Sequence, residues 1–314
     1  MISFLIRRFI SSLIVLWVIV TASFFVMKAA PGGPFDRDRA LPDEVKANIE
    51  RRYDLDKPLF EQYLIQLKRI AVDWDFGPSM KYPDKTVNQI LWDGLPVSFT
   101  LGLMGLFFAV AIGLPAGLWA AMRRNAWGDY AAMTAAMAGV SIPNFVLGPL
   151  LIYFFALRVP LFSTGGWLEE GMGFVDFLRI TILPSLTLGL YYAAYIARLS
   201  RGGMLEIIHQ DFMRTARAKG LSEKVIVVRH ALKGAILPVV SYLGPAFAGM
   251  LTGSVVVEKV FNIPGLGTHF VTSAFNRDYP LVLGTIVLYS AFLVVLNLIV
   301  DLLYSLLDPR VAHA

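Results

Sequence analysis

The chain has 314 residues, 56% of them hydrophobic and only 16% charged, with a mean hydropathy of +0.62. Soluble domains carry about 25% charged residues, so the composition excludes a soluble globular domain and indicates a membrane protein. The net charge of +5 then reads as topology rather than nucleic-acid affinity, and the absence of cysteine excludes disulfide and thiolate chemistry.

Arg7 and Arg8 precede an apolar run from Phe9 to Met27. The run is longer than the roughly 7–15 residues of a signal-peptide core and matches the roughly 17–25 that span a bilayer. Residues 1–30 are therefore expected to form an uncleaved first transmembrane helix with its N-terminus inside. Residues 31–95 change character and hold most of the acidic side chains, with nearly as many basic ones. Pro42, Asp43 and Glu44 ahead of Arg51 and Arg52 have the charge order of a short helix. A second helix is expected from Pro58, with Phe60, Tyr63, Leu64, Leu67, Ala71 and Trp74 on one apolar stripe. Asp75-Phe76-Gly77-Pro78 ends it. About 65 residues bury little core alone, so this region is expected to be a small helical extracytoplasmic cap resting on the membrane helices. The alternative is a solvated spacer.

Residues 96–314 contain five further spans, at roughly Val97–Ala121, Ala132–Leu157, Leu178–Ala197, Ile236–Val257 and Leu281–Leu307. In lipid only helices satisfy their own backbone, so all five are expected to be helical. With the N-terminus inside, Arg123, Arg124, a basic loop and Arg310 fall on the cytoplasmic side, against Arg158, Lys259 and Arg277 outside. The expectation is an all-α membrane protein with six transmembrane helices and both termini cytoplasmic. Pro115, Pro143, Pro149, Pro184, Pro238 and Pro245 punctuate the spans. Gly113/Gly117 and Gly249/Gly253 have the spacing of close helix contacts. Asn144, Asn297 and Asp301 are polar positions within spans, and Arg198 lies towards the cytoplasmic end of the fourth. Asp301 and Arg198 fit a structural pair or snorkelling as well as a pathway role.

Enzyme chemistry has no visible seat. His209, His230, His269 and His313 are far apart and lack metal-ligand spacing. No GxSxG elbow and no GxxxxGK[ST] phosphate loop occurs, so the chain is expected neither to catalyse nor to bind ATP in the usual way.

The stretch Gly202–Ala235 is a long, basic, amphipathic segment between two apolar spans. Met204, Ile208, Phe212 and Thr215-Ala216 are expected on one helix face, opposite Glu206, Gln210, Arg214 and Arg217. Gly220 suits a helix C′ position and Ser222 the next N-cap. Val225, Val228, Leu232 and Ile236 continue as a second stripe. A short helix with an exposed basic side suits a groove on a soluble partner. It suits an anionic lipid surface equally, and periodicity leaves both readings open.

Asp211-Phe212-Met213-Arg214-Thr215-Ala216-Arg217-Ala218-Lys219-Gly220-Leu221, followed by Arg229-His230-Ala231-Leu232, resembles the "EAA" loop of ABC importer permeases, in its dipeptide, oligopeptide and nickel branch. Arg214-Thr215-Ala216 stands where the broad family has Glu-Ala-Ala, and His230-Ala231-Leu232-Lys233 where it has Ile-x-Leu-Pro. Ala30-Pro31-Gly32, Asp75–Ser79, Lys81-Tyr82, Thr86-Val87-Asn88, Ser141–Phe145, Gly253–Glu258, Asn262–Gly267 and Leu307–Arg310 are similar to other family landmarks.

The resemblance implies a type I importer fold and the import of peptide. Two homologous permease subunits would form the pathway, two ATPase subunits would hold the ATP and Mg, and an extracytoplasmic peptide-binding protein would deliver substrate. No cofactor is expected in this chain, membrane lipid is its surroundings, and nucleic acid is not a partner. The implied setting is the bacterial cytoplasmic (inner) membrane. Asp211, Phe212, Arg214, Thr215, Ala216, Arg217, Ala218, Lys219, Gly220 and Leu221 would dock an ATPase, on a helix running from about Met204 to Lys219. Asn144, Tyr242, Gly253 and Asn297 are candidates for the substrate path. Glu258, Asn262, Pro264, Gly265, Gly267 and Arg277 are candidates for facing the binding protein, together with the 31–95 cap. The rival within the family is a permease for dipeptide, nickel or another small substrate. The rival from another class is a self-sufficient channel or secondary transporter.

Overall fold

A computed structural model describes residues 2–30 and 43–307. Pro31, Pro42, Arg310 and the side chain of Asp301 lie outside the described residues. Among the described residues there is no strand, only an isolated bridge between Pro78 and Thr86. The helices are α1 (Ile2–Ala29), α2 (Asp43–Arg52), α3 (Leu59–Lys68), α4 (Val87–Met122), α5 (Trp127–Ser141), α6 (Asn144–Ile152) and α7 (Phe174–Ile208). They continue as α8 (Asp211–Ala218), α9 (Glu223–Val225), α10 (Leu232–Ala235), α11 (Leu237–Val260), α12 (Leu266–Asn276) and α13 (Tyr279–Leu307). Five of them, α1, α4, α7, α11 and α13, are long and apolar enough to cross a membrane, and the pair α5–α6 makes a sixth if counted as one span.

That pair occupies the expected span over Ala132–Leu157, and the kink that Pro143 implies there is a full break. The chain bends by 103° between α5 and α6. Pro143 has no N–H to offer the helix, and it forces the preceding Ile142 into the extended region at φ −87°, ψ 115°. The helix restarts at Asn144, and α6 widens into a π turn over Tyr153–Arg158.

The chain divides into two compact units, one of Met1–Pro96 with Thr268–Phe292 and the other of Val97–Gly267 with Leu293–Ala314. In the first, α1 presents Phe9, Leu13 and Trp17 outwards, as a lipid-facing helix does. Its C-terminal end carries α3: the Thr21 and Tyr63 hydroxyls are 2.8 Å apart, and Lys28 donates to Gln62 at 2.5 Å. Only Tyr63 of the expected α3 stripe is buried, while Phe60, Leu64 and Trp74 are exposed. Phe60 and Leu64 face away from α1 on the regular part of α3, whereas beyond it the helix opens into a π turn over Arg69–Asp73 and ends on Trp74 in the left-handed region. That turn breaks the periodicity on which the far end of the stripe depends.

The turn after it is held by side chains. Asn88 accepts from Phe76 N at 2.9 Å and donates to the Trp74 carbonyl at 2.7 Å. The buried Ser79 hydroxyl donates to the buried Asp278 carboxylate and accepts from Tyr82 N at 2.9 Å. Thr86 and Gln89 then close a reciprocal cap at 3.0 and 3.2 Å that starts α4.

In the second unit α4 lies against α7 through glycines. A Cβ at Gly113 would meet the Ala193 carbonyl, and one at Gly117 the Ala197 carbonyl, so only glycine allows the backbones this close. Gly249 and Gly253 share that spacing without that role: Gly249 abuts the Tyr192 hydroxyl, and Gly253 faces open space. The core beneath is Leu101, Leu183, Leu188, Val257 and Phe261.

Candidate coupling loop and transport path

The expected helix over Met204–Lys219 is two helices. α7 ends at Ile208, His209 and Gln210 turn, and α8 starts at Asp211 with Gln210 extended at its N-cap. The turn resets the helical phase, so Met213 and Ala216 point inward and Phe212 is exposed. Met213 and Ala216 pack with Met204, Ile226, Ala231, Ala235 and Ala121. A second phase shift follows in the π turn Ile226–Ala231, which buries Ile226 and Ala231 and leaves Val225 and Val228 exposed. The predicted stripe through Val225, Val228, Leu232 and Ile236 is therefore not the buried one. Gly203 lies where a Cβ would stand 2.5 Å from the Ala235 carbonyl, which ties the end of the loop back onto α7.

Of the ten loop candidates, Asp211, Phe212, Arg214, Thr215, Arg217, Ala218, Lys219, Gly220 and Leu221 are exposed, and Ala216 is buried. Gly220 has φ +75°, with nothing within 4 Å of a would-be Cβ, so backbone conformation and not space selects glycine there. Gly220 N and Leu221 N donate to the Arg217 and Ala216 carbonyls at 2.9 and 3.3 Å, closing the end of α8. Ser222 sits at the N-cap of α9 as predicted, but its side chain makes no capping bond. Arg217 closes the turn instead, its Nε 2.7 Å from Glu223 Oε1.

Asp129 and Arg201 form a pair that nothing in the sequence pattern singles out. Arg201 donates from Nε and Nη2 to both carboxylate oxygens at 2.7 Å each, and Asn125 N donates to the same carboxylate at 3.0 Å. Asp129 is buried, so the start of α5 is locked to the C-terminal part of α7 next to the loop. An acid three residues into an apolar helix is the one signal that could have marked it.

The path candidates divide. Asn144 and Gly253 line one open cleft of about 280 Å³ at the α5–α6 bend, with Tyr191 and Tyr192. Tyr242 stacks against Tyr195 with centroids 5.9 Å apart. Asn297, half-buried on α13, does not line the cleft. The outer-loop candidates divide as well. Asn262 and Pro264 are exposed, whereas Glu258, Gly265 and Gly267 are buried. Ser98 donates to Glu258 Oε1 at 2.7 Å, Ser254 Oγ lies 2.7 Å from the same oxygen, and Leu266 N donates to Ser98 Oγ at 2.8 Å. Glu258 thus ties the turn after α11 to α4 and offers nothing outward in this structure. Arg277 belongs to the other unit, half-buried with φ +59°.

Among the described residues no group of three His, Asp or Glu side chains could hold a metal. An exposed basic loop, a bent span beside an open cleft and five or six membrane-length helices suit a conduit driven from outside itself. The family profile described as "Binding-protein-dependent transport system inner membrane component" matches residues 113–313, and that of its N-terminal region matches 1–101. The chain belongs to this family.

The permease is 44% identical over 313 residues to the oligopeptide transport system permease protein OppB of Haemophilus influenzae, covering 100% of both chains. It is 47% identical, with the same coverage, to OppB of Salmonella typhimurium. To the dipeptide transport system permease protein DppB of Bacillus subtilis it is 46% identical, covering 98% of this chain and 97% of the relative. Among solved structures, an inward-facing MetNI methionine ABC transporter chain matches with a TM-score of 0.57 at 20% identity, over 70% of this permease and 97% of that chain. That likeness shows a shared ABC importer permease fold. The permease is a transport subunit and not an enzyme.

Proposed function

We propose that this permease is the first membrane subunit of an oligopeptide importer of the bacterial inner membrane, spanning it six times with both termini cytoplasmic. The observation that carries the substrate class is the end-to-end identity of 44–47% to permeases named for oligopeptide transport. A second permease subunit completes the pathway, two ATPase subunits bind ATP and Mg beneath it, and an extracytoplasmic binding protein delivers peptide. The exposed face of α8, Arg214, Thr215, Arg217, Ala218 and Lys219, with the Gly220 turn, docks one ATPase. Asn144, Gly253 and Tyr242 face the path; the cap and the exposed Asn262 and Pro264 face the binding protein.

The equal identity to a dipeptide permease favours one second reading, the import of dipeptides. The deciding experiment reconstitutes the complete transporter in proteoliposomes and measures ATP-dependent uptake of labelled peptides two to six residues long. Uptake confined to dipeptides selects the second reading. Uptake without ATPase subunits selects a self-sufficient carrier and overturns both. Deleting residues 36–94 of the cap is expected to weaken stimulation of the ATPase by the binding protein. Full stimulation after that deletion overturns the receiving role of the cap.

A further inference from the structure

Four tyrosines form a strip in the second unit; Tyr192 and Tyr242 also pack on its core, whereas nothing in the core or the basic loop accounts for Tyr191 and Tyr195. Tyr191 and Tyr195 on α7 have ring centroids 5.4 Å apart, and Tyr242 on α11 lies 5.9 Å from Tyr195 and 6.5 Å from Tyr192. Tyr191 and Tyr192 also line the cleft at the α5–α6 bend, beside Asn144 and Gly253. One turn beyond Tyr195, the exposed Arg198 guanidinium lies over the Tyr195 ring, 4.7 Å from its centroid. No carboxylate of a described residue pairs with Arg198.

Arg198 stands ten residues before the end of α7 at Ile208, or about 15 Å along the axis. The expected span ends at Ala197, so Arg198 stands where that span opens towards the basic loop, a position that suits an exposed guanidinium facing a water-filled path. Tyr191 is seven residues away on the other side, so the strip runs about 10 Å from the cleft towards the cytoplasmic end of the helix. Its chemistry suits a chain of amides ending in an acid. Phenol hydroxyls both donate and accept, so they serve a peptide main chain whatever its side chains. A guanidinium held flat over a ring presents a fork of N–H donors matched to a carboxylate.

We propose that Arg198 is a subsite for the C-terminal carboxylate of the transported peptide, with Tyr191, Tyr192, Tyr195 and Tyr242 presenting hydroxyls to its main chain. The proposal rests on the peptide-import reading and adds the group by which the pathway holds its cargo.

The test uses the whole transporter and one peptide in two forms, free acid and C-terminal amide. The same binding protein serves wild type and variant, so its own preference cancels in the comparison. In Arg198→Gln the ratio of free-acid to amide uptake is expected to fall about tenfold or more, the loss of one charge-assisted contact. Arg198→Lys should keep most of the ratio. An equal loss for both peptides, or no loss, overturns the proposal and assigns Arg198 a structural or snorkelling role.

A second measurement does not depend on uptake. The chain has no cysteine, so Arg198→Cys gives one thiol to probe in this subunit. A water-soluble trimethylammonium thiol reagent is expected to label it, and saturating free-acid peptide to slow the labelling more than the amide does. A thiol that does not react lies at a lipid or subunit interface, which overturns the proposal even if Arg198→Gln fails to assemble. If the wild-type transporter moves no peptide, the peptide reading itself falls. Wild-type uptake with an unchanged acid-to-amide ratio in Arg198→Gln removes the subsite alone.

Discussion

Arg217 and Glu223 meet across the turn made by Gly220, with Arg217 Nε 2.7 Å from Glu223 Oε1. The pair joins the last turn of α8 to the first of α9, so the exposed loop presents a fixed angle and not a flexible tether. The Arg217 guanidinium holds the Glu223 carboxyl below the ordinary carboxylate value of 4.5. The sign follows directly: the contact is fully present above that value and is lost as pH falls through the lowered folded value. Both groups are exposed and screened, so the contact orders the turn and adds little to global stability.

Reversing Arg217 to Glu should therefore lower ATP-driven peptide uptake while the protein still reaches the membrane. Adding Glu223→Arg restores an ion pair with the charges swapped. If Arg217 also faces an ATPase, the double variant recovers the turn but stays poor in uptake and in ATPase stimulated by the binding protein. Full recovery would show that Arg217 acts only within this chain.

Gly220 separates conformation from contact. Its φ of +75° disfavours any Cβ, although a side chain would meet nothing within 4 Å. Gly220→Ala should cost about 1 kcal/mol of local order, and Gly220→Pro more, because proline fixes φ near −65° and the Gly220 N–H bond to Arg217 is lost. Uptake should fall in the order glycine, alanine, proline, with thermal stability of the purified complex nearly constant. Equal uptake in all three would mean that the turn angle does not matter to coupling.

The spans were legible because length and hydropathy act over whole segments: α1, α4, α7 and α13 contain their predicted ranges, and α11 starts one residue after its predicted Ile236. The stretch Gly202–Ala235, which we propose docks an ATPase, was legible as a basic loop for the same reason. The faces were not, since face depends on an unbroken 3.6-residue phase. Three local breaks, at Gln210, in the π turn Ile226–Ala231 and in the π turn Arg69–Asp73, each shifted the phase of the residues within or after them. Wide turns carry no consistent residue signature, so the inward roles of Met213 and Ile226 could not be read from spacing. Glu258 fell to a different cause: its partner Ser98 is distant in sequence, and an acid beside a loop looks exposed until that partner is placed.

The two glycine pairs, alike in spacing, should behave differently. Gly117→Ala drives a Cβ into the Ala197 carbonyl, a backbone atom with nowhere to go, at a cost of about 1–3 kcal/mol. Gly253→Ala meets nothing within 4 Å and should leave the melting temperature of the complex unchanged or slightly raised, since alanine favours helix by about 1 kcal/mol. Because Gly253 lines the cleft, a fall in uptake without a fall in stability would show that peptide passes it. Equal destabilisation by both substitutions would contradict the close approach at Gly117.

Glu258 and Gly265 should couple. The Glu258 carboxyl is buried with the Ser98 and Ser254 hydroxyls at 2.7 Å; Ser254 keeps the Leu251 carbonyl at 2.8 Å, so Glu258→Ala strands the Ser98 hydroxyl, at about 1–3 kcal/mol. Gly265→Ala would bring its Cβ within 2.6 Å of Glu258 Oε2, and nearer still to the rest of the carboxyl. It should cost a similar amount by pushing that group off its partners. Removing the carboxylate removes the obstacle, so Glu258→Ala with Gly265→Ala should cost clearly less than the two single losses added together. Melting temperatures of the four proteins, measured on the assembled transporter, close the cycle. Simple additivity would mean that Gly265 is required for a reason other than the carboxylate beneath it.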